Sequence, residues 1–111
     1  AGAPAGFGRR LDAGESIRID GPILLGRNPD ATPHPGARAI PLPDDTRSLS
    51  KTHLLVRPVP GGLEVVDLHS TNGSALSRNG IDMAMPAGTV VAITAGDTIR
   101  LGDRVFAVIA V

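Results

Sequence analysis

Glycine and proline punctuate this chain so closely that a helix has almost nowhere to form. The 111 residues hold 14 Gly and 10 Pro, and a 3.6-residue apolar periodicity is missing almost everywhere. What lies between them is a series of short runs rich in β-branched residues, each bounded by a turn signal. That is the pattern of an all-β sandwich. Composition narrows the core further. Apolar residues make up 41%, but the only aromatics are Phe7 and Phe106, so the interior must be aliphatic. The exposed rings on which single-stranded nucleic acid stacks are missing too. At this length roughly 65% of the unfolded surface is buried on folding, enough for one core without metal or disulfide support.

Charge is balanced, with 11 basic and 11 acidic residues. No global basic field draws in a polyanion, so nucleic acid is not an expected partner and any anion site must be local. The absence of cysteine removes disulfide frameworks and cysteine–zinc sites. No apolar stretch approaches the ~20 residues of a membrane helix, and no signal-peptide pattern is present. A cytoplasmic location is expected, either free or as the cytoplasmic part of a membrane-associated protein, without membrane insertion by this domain. The chain opens on Ala1 rather than Met, which reads as a piece of a longer protein. Ten of the 11 basic residues are Arg, a bias that fits GC-rich coding DNA and a bacterial source.

Strands are expected over residues 16–20, 23–26, 39–42, 53–57, 63–68, 75–77, 81–85, 89–93, 98–101 and 104–111. The segment from Asn28 to Gly36 carries Pro29, Pro33 and Pro35 and reads as an exposed loop. Asn79-Gly80 is a type I′ hairpin signal. Residues 1–8 read as a linker remnant and 9–111 as the domain.

Polar residues in three loops exceed what a bare sandwich requires: Gly26-Arg27, Ser50-x-x-His53 and the run His69-Ser70-Thr71-Asn72-Gly73-Ser74. Ser50 and His53 invite a hydrolase reading. In an extended segment, however, positions three apart point to opposite faces, and a nucleophile and its base must touch. No Gly-x-Ser-x-Gly elbow is present either, so no catalytic residue is assigned. His34, His53 and His69 lie on three segments without ligand spacing, and Asp44-Asp45 reads as a solvated turn. No metal or cofactor is expected.

Taken in order, Gly26-Arg27, Ser50-x-x-His53, Ser70-Thr71-Asn72-Gly73, Asn79-Gly80 and Ala95-Gly96-Asp97-x-Ile99-x-Leu101-Gly102 resemble the forkhead-associated (FHA) domain, from about Leu11 to Val111. The resemblance implies an antiparallel β-sandwich of about eleven strands, FHA/SMAD-like, whose loops at one end bind phosphothreonine in extended peptides. It implies a non-enzymatic, monomeric module of a larger protein in Ser/Thr kinase signalling, with a threonine-phosphorylated partner. The alternative is a scaffold of the same fold that does not depend on phosphate.

The chemistry is consistent with that implication. A phosphothreonine carries about −1.5 to −2 charge and three acceptor oxygens. It calls for a fixed guanidinium, a hydroxyl donor and loop N–H groups. Arg27 supplies the fork, Ser50 the hydroxyl and Lys51 a second cation. By resemblance Thr71 reaches the phosphate and Asn72 bonds the peptide backbone, while Gly26, His53 and Gly73 support the site. The family commonly has Thr where this chain has Ser74. It often has Arg or another polar side chain two residues before the serine, where Ser48 stands here with Arg47 one further back. Extended alternation turns Arg47 to the other face, leaving the choice of the residue three past the phosphothreonine open. The loop at 28–37 is longer than the family's usual one.

Overall fold

A computed structural model of the chain describes residues 5–9, 16–45 and 47–110. Eleven strands are present among them: β1 (Ala5–Arg9), β2 (Ser16–Arg18), β3 (Ile23–Gly26), β4 (Arg38–Pro41), β5 (Leu54–Val59), β6 (Gly62–Asp67), β7 (Ser74–Arg78), β8 (Ile81–Ala84), β9 (Val90–Ile93), β10 (Thr98–Leu101) and β11 (Arg104–Ala110). They form a six-stranded sheet in the order β2-β1-β11-β10-β7-β8 and a five-stranded sheet in the order β4-β3-β5-β6-β9. Every described pairing is antiparallel except β3 with β4.

Period-2 alternation builds the core between the sheets. Ile23, Leu25, Leu54, Val56, Leu63 and Val65 face inward from one sheet, and Leu76, Ile99, Leu101, Phe106 and Val108 from the other. Phe106 is the one buried aromatic among the residues whose burial is described, and branched aliphatics fill the rest of the core around it. Asn79 and Gly80 both take positive φ, 53° and 78°, the turn that matches the right-handed twist of β7 and β8.

Two expectations change. Ala5–Arg9 is β1, paired with both β11 and β2, so residues 5–8 belong to the sandwich rather than to a linker; residues 1–4 lie outside the described residues. β5 begins at Leu54 rather than His53, because residues 51–52 form a bend. The pairings Leu25–Leu54, Leu54–Asp67 and Leu101–Ser74 bring the loops after β3, before β5, after β6 and after β10 to one end of the sandwich. The long β4–β5 connection is pinned there by burial of Leu42 and Leu49 in the core, each worth about 1.5–3 kcal/mol. Leu49 sits directly before Ser50, so core packing fixes the start of the polar loop.

Candidate phosphopeptide-binding loops

Close backbone contact assembles this end of the molecule. The Arg27 N–H donates to the Ser50 carbonyl (3.0 Å) and the Asn28 N–H to the Lys51 carbonyl (3.0 Å). Glycine at position 26 permits this approach, because a Cβ there would lie 2.2 Å from the Lys51 carbonyl oxygen. Gly102 plays the same part from the opposite sheet. It has φ of 54°, and a Cβ would meet the Ser48 carbonyl at 2.4 Å. Gly73 has φ of 78°, a left-handed conformation that glycine adopts without steric cost.

Ser50 ties two loops together. Its Oγ accepts the Thr71 N–H at 2.9 Å, so the hydroxyl proton is left to point outward as a donor. Ser48, buried two residues earlier, accepts the Asp103 N–H on its Oγ (2.9 Å) and the Asn72 side-chain amide on its carbonyl (3.0 Å). That bond uses one Nδ2 proton. Asn72 keeps its second amide proton and its Oδ1, the donor and acceptor pair that an extended backbone requires.

His53 lies fully buried beneath these loops. Its Nδ1 accepts the Ser50 backbone N–H (3.1 Å), and its Nε2 faces the Gly73 carbonyl (3.0 Å) and Ser74 Oγ (3.1 Å). These partners assign the neutral tautomer protonated at Nε2. The 50–53 segment is therefore a turn rather than an extended strand. The histidine grips the serine's main chain and not its hydroxyl, and no Ser–His relay forms. Asp67 completes the network, accepting from Ser70 N–H (2.8 Å), Ser70 Oγ (2.6 Å) and the Ser74 hydroxyl.

Burial, the largest influence on His53, pushes its pKa below the ordinary histidine range against the Gly73 carbonyl and the Asp67 charge. At its 3.8 Å approach to Asp67 a neutral imidazole thus faces a carboxylate, and no ion pair forms. For Asp67 burial acts upward, but the Ser70 and Ser74 donors together hold the carboxyl below its usual range. Both shifts favour the deprotonated form, so the fold binds fewer protons than the unfolded chain. Stability is then complete above pH ~6.5 and falls as pH drops through the lowered His53 value, with a slope of at most about 1.4 kcal/mol per unit from one group. Urea midpoints of the ligand-free domain should decline between pH 7 and 5, before ordinary carboxylates titrate. A flat profile over that range would remove this account of His53.

Three features of the site escape sequence reasoning. Asp44 is not a solvated turn residue: its carboxylate accepts the Ser48 and Leu49 N–H groups at 2.9 and 3.1 Å, an Asp-centred loop staple whose only sequence signal is an Asp shortly before a polar turn. Its replacement by Ala should cost about 1–2 kcal/mol, read as a lower urea midpoint. Arg47 takes φ of 55°, which breaks the alternation assumed for it. It lines a cavity of about 470 Å³ beside Asn72, Ser48 and Gly102 instead of facing away. Ser48 itself is the hub just described.

The residues singled out in sequence gather at this end. Arg27, Lys51, Thr71 and Asn72 are exposed around the partly buried Ser50, over the support from Gly26, His53 and Gly73. Among the described residues no carboxylate lies within ion-pairing distance of Arg27 or Arg47, whereas Arg57 and Arg78, elsewhere on the sandwich, are bound to Glu64 and Asp97. Lys51 is partly offset: after the dominant Thr32 N–H bond, its charge helps hold the Asp30 carboxyl below the usual range. Among the described residues no group of three or more His, Cys, Asp or Glu, His34 and His69 included, could hold a metal ion.

The family model of the FHA domain matches residues 23–102, from the start of β3 to the glycine after β10. The chain belongs to the FHA family. Among solved structures, the FhaA FHA domain complexed with the intracellular domain of Rv3910 is 26% identical, with a TM-score of 0.68, over 94% of this chain and 98% of that one. Mycobacterium tuberculosis EmbR in complex with a low-affinity phosphopeptide is 19% identical, with a TM-score of 0.69, over 96% of this chain and 24% of that one. An FHA domain of Arabidopsis thaliana is 24% identical, with a TM-score of 0.67, over 100% and 91%. No curated protein matches the sequence. The FHA match spans Arg27, the Ser50–His53 turn and the 70–74 loop, so all three parts of the cluster lie inside the family's region.

Proposed function

We propose that this FHA domain binds phosphothreonine in an extended segment of a partner protein, without catalysis, as a reversible contact made by a Ser/Thr kinase. The observation that carries this reading is the convergence on Ser50. One loop is bonded to its carbonyl and another to its Oγ, which leaves a single hydroxyl proton on the residue that holds the backbone of Arg27, an exposed arginine with no carboxylate in ion-pairing distance among the described residues. A dianion supplies what that geometry lacks, and charge-assisted bonds to phosphate are about twice as strong as neutral ones. Asn72, with one donor and one acceptor uncommitted, then pairs with the partner's backbone beside the phosphothreonine. Lys51 and Thr71 flank the phosphate.

FHA domains are phosphopeptide-recognition modules, and the family match supports the reading for this chain. We place the domain in a bacterial cytoplasm, as a monomeric module of a larger protein, because threonine phosphorylation draws on ATP. An oriented phosphothreonine peptide library on the purified domain is the test. A defined consensus is expected. Retention of no sequence above background would favour the phosphate-independent scaffold.

A further inference from the structure

Outside the loops, one cation among the described residues, Arg100, has no assigned work. Arg100 stands on β10 between Ile99 and Leu101, which are fully buried, so alternation turns Arg100 and Thr98 to the outer face of the six-stranded sheet. Arg100 is exposed, and among the described residues no carboxylate lies within ion-pairing distance of it. Val105 on β11 flanks it on one side, and on the other its lateral neighbours are short: Ala75 on β7, then Ala84 on β8, with the Ser77–Thr98 pair one step further down. A floor of Ala, Ser and Thr lets another backbone come close.

Three cavities share Arg100. The first, about 470 Å³, opens at the loop end against Asn72. The second, about 290 Å³, runs from Asn72 over Ala75 and Ala84, and the third, about 220 Å³, lies over Ser77 and Thr98. Together they form a trough that starts at the residue facing the peptide backbone and descends the sheet. From Gly102 to Thr98 is four residues, about 13 Å of strand. Asp103 lines the upper cavity and Asp82 the two lower ones, so a polyanion is repelled at both margins. The charge pattern suits a single acid in the middle.

We propose that the phosphorylated partner's chain, on leaving the loops beside Asn72, runs in extended form down this outer face and places one acidic side chain on Arg100. Uncharged or basic residues stand two positions to either side of that acid. The surface is thus a second recognition element, reading sequence several residues away from the phosphothreonine, and it rests on the phosphothreonine reading above.

The test uses a seven-residue phosphothreonine peptide chosen from the library, and the same peptide extended at either end by six Ala/Ser residues. One Glu is moved through the six added positions. Calorimetry is expected to show one position at which Glu raises affinity about five- to tenfold over the Glu-free tail, while Lys there does not. In Arg100→Glu that preference should reverse to Lys, with the seven-residue peptide bound within twofold of wild type. Binding of the short peptide with no favoured Glu position on either side would overturn the proposal alone. A loss of short-peptide affinity in Arg100→Glu would also overturn it, by placing Arg100 in the phosphate site. Failure of every phosphothreonine peptide to bind would overturn the phosphate reading and this proposal with it.

Discussion

Replacing Arg27 by Ala is expected to weaken phosphothreonine-peptide binding by at least about 100-fold while leaving thermal stability almost unchanged. The two halves of this expectation come from different atoms. The backbone of residue 27 holds the loops together through its N–H on the Ser50 carbonyl, and Ala retains that bond. The side chain is exposed and has no carboxylate partner among the described residues, so its removal costs the apo domain little. In the complex, however, a desolvated phosphate would lose its planar fork. Truncating one partner of a hydrogen-bonded charge pair typically costs 2–5 kcal/mol, and Lys cannot restore the bidentate geometry. Titration calorimetry together with a melting curve checks both halves. A variant that melts normally and still binds within threefold of wild type would remove Arg27 from the site.

His53→Ala should do the reverse, acting on the fold first and on binding as a consequence. The imidazole has no exposed surface and joins the Ser50 N–H to the Gly73 carbonyl through its two ring nitrogens. Ala leaves the Ser50 N–H without its acceptor, at about 1–3 kcal/mol, takes one of two donors from the Gly73 carbonyl, which keeps the Gly102 N–H, and opens a cavity beside them. A loss of about 3 kcal/mol is expected, or roughly 15 °C in melting temperature for a domain of this size. Below the transition the variant should also bind phosphopeptide more weakly, because the loop before β5 and the loop after β6 are no longer held at a fixed separation. Calorimetric melting and peptide titration at low temperature test the two effects. A melting temperature within 3 °C of wild type would contradict the bracing role.

Strand positions were legible wherever β-branched runs met Gly or Pro. β3 and β10 fall where expected because Gly26 and Gly102 end them, and Asn79-Gly80 specifies its own hairpin. The Arg27, Ser50–His53 and Thr71–Asn72 segments were legible as a set because a site built from loop ends concentrates its polar residues in short runs. Features decided by tertiary contact were not. Ala5–Arg9 contains two glycines and no strand pattern of its own, and becomes β1 through pairing with β11 and β2. Arg47 lines the cavity through one left-handed residue, a choice that no periodicity encodes. Asp44 reads as one more acidic turn residue until Leu49 is seen to be buried, which puts the neighbouring N–H groups in need of an acceptor. Arg100 follows the strand alternation faithfully. Its place below Asn72, however, depends on the pairing of β10 with β7, which lies outside local sequence.

Five strands and six strands bring four loops to one tip, and the tip is rigid because its bonds are internal: Asp44 to the turn before Ser50, Ser48 to Asp103, His53 to Gly73. Outward-facing groups are left uncommitted. The measurement closest to this claim is a pair of calorimetric titrations of the wild-type domain, one with a library-selected phosphothreonine peptide and one with the same peptide unphosphorylated. A dissociation constant in the micromolar range, about −8 kcal/mol, is expected for the first, with no detectable heat for the second. Equal affinity for the two peptides would contradict the account.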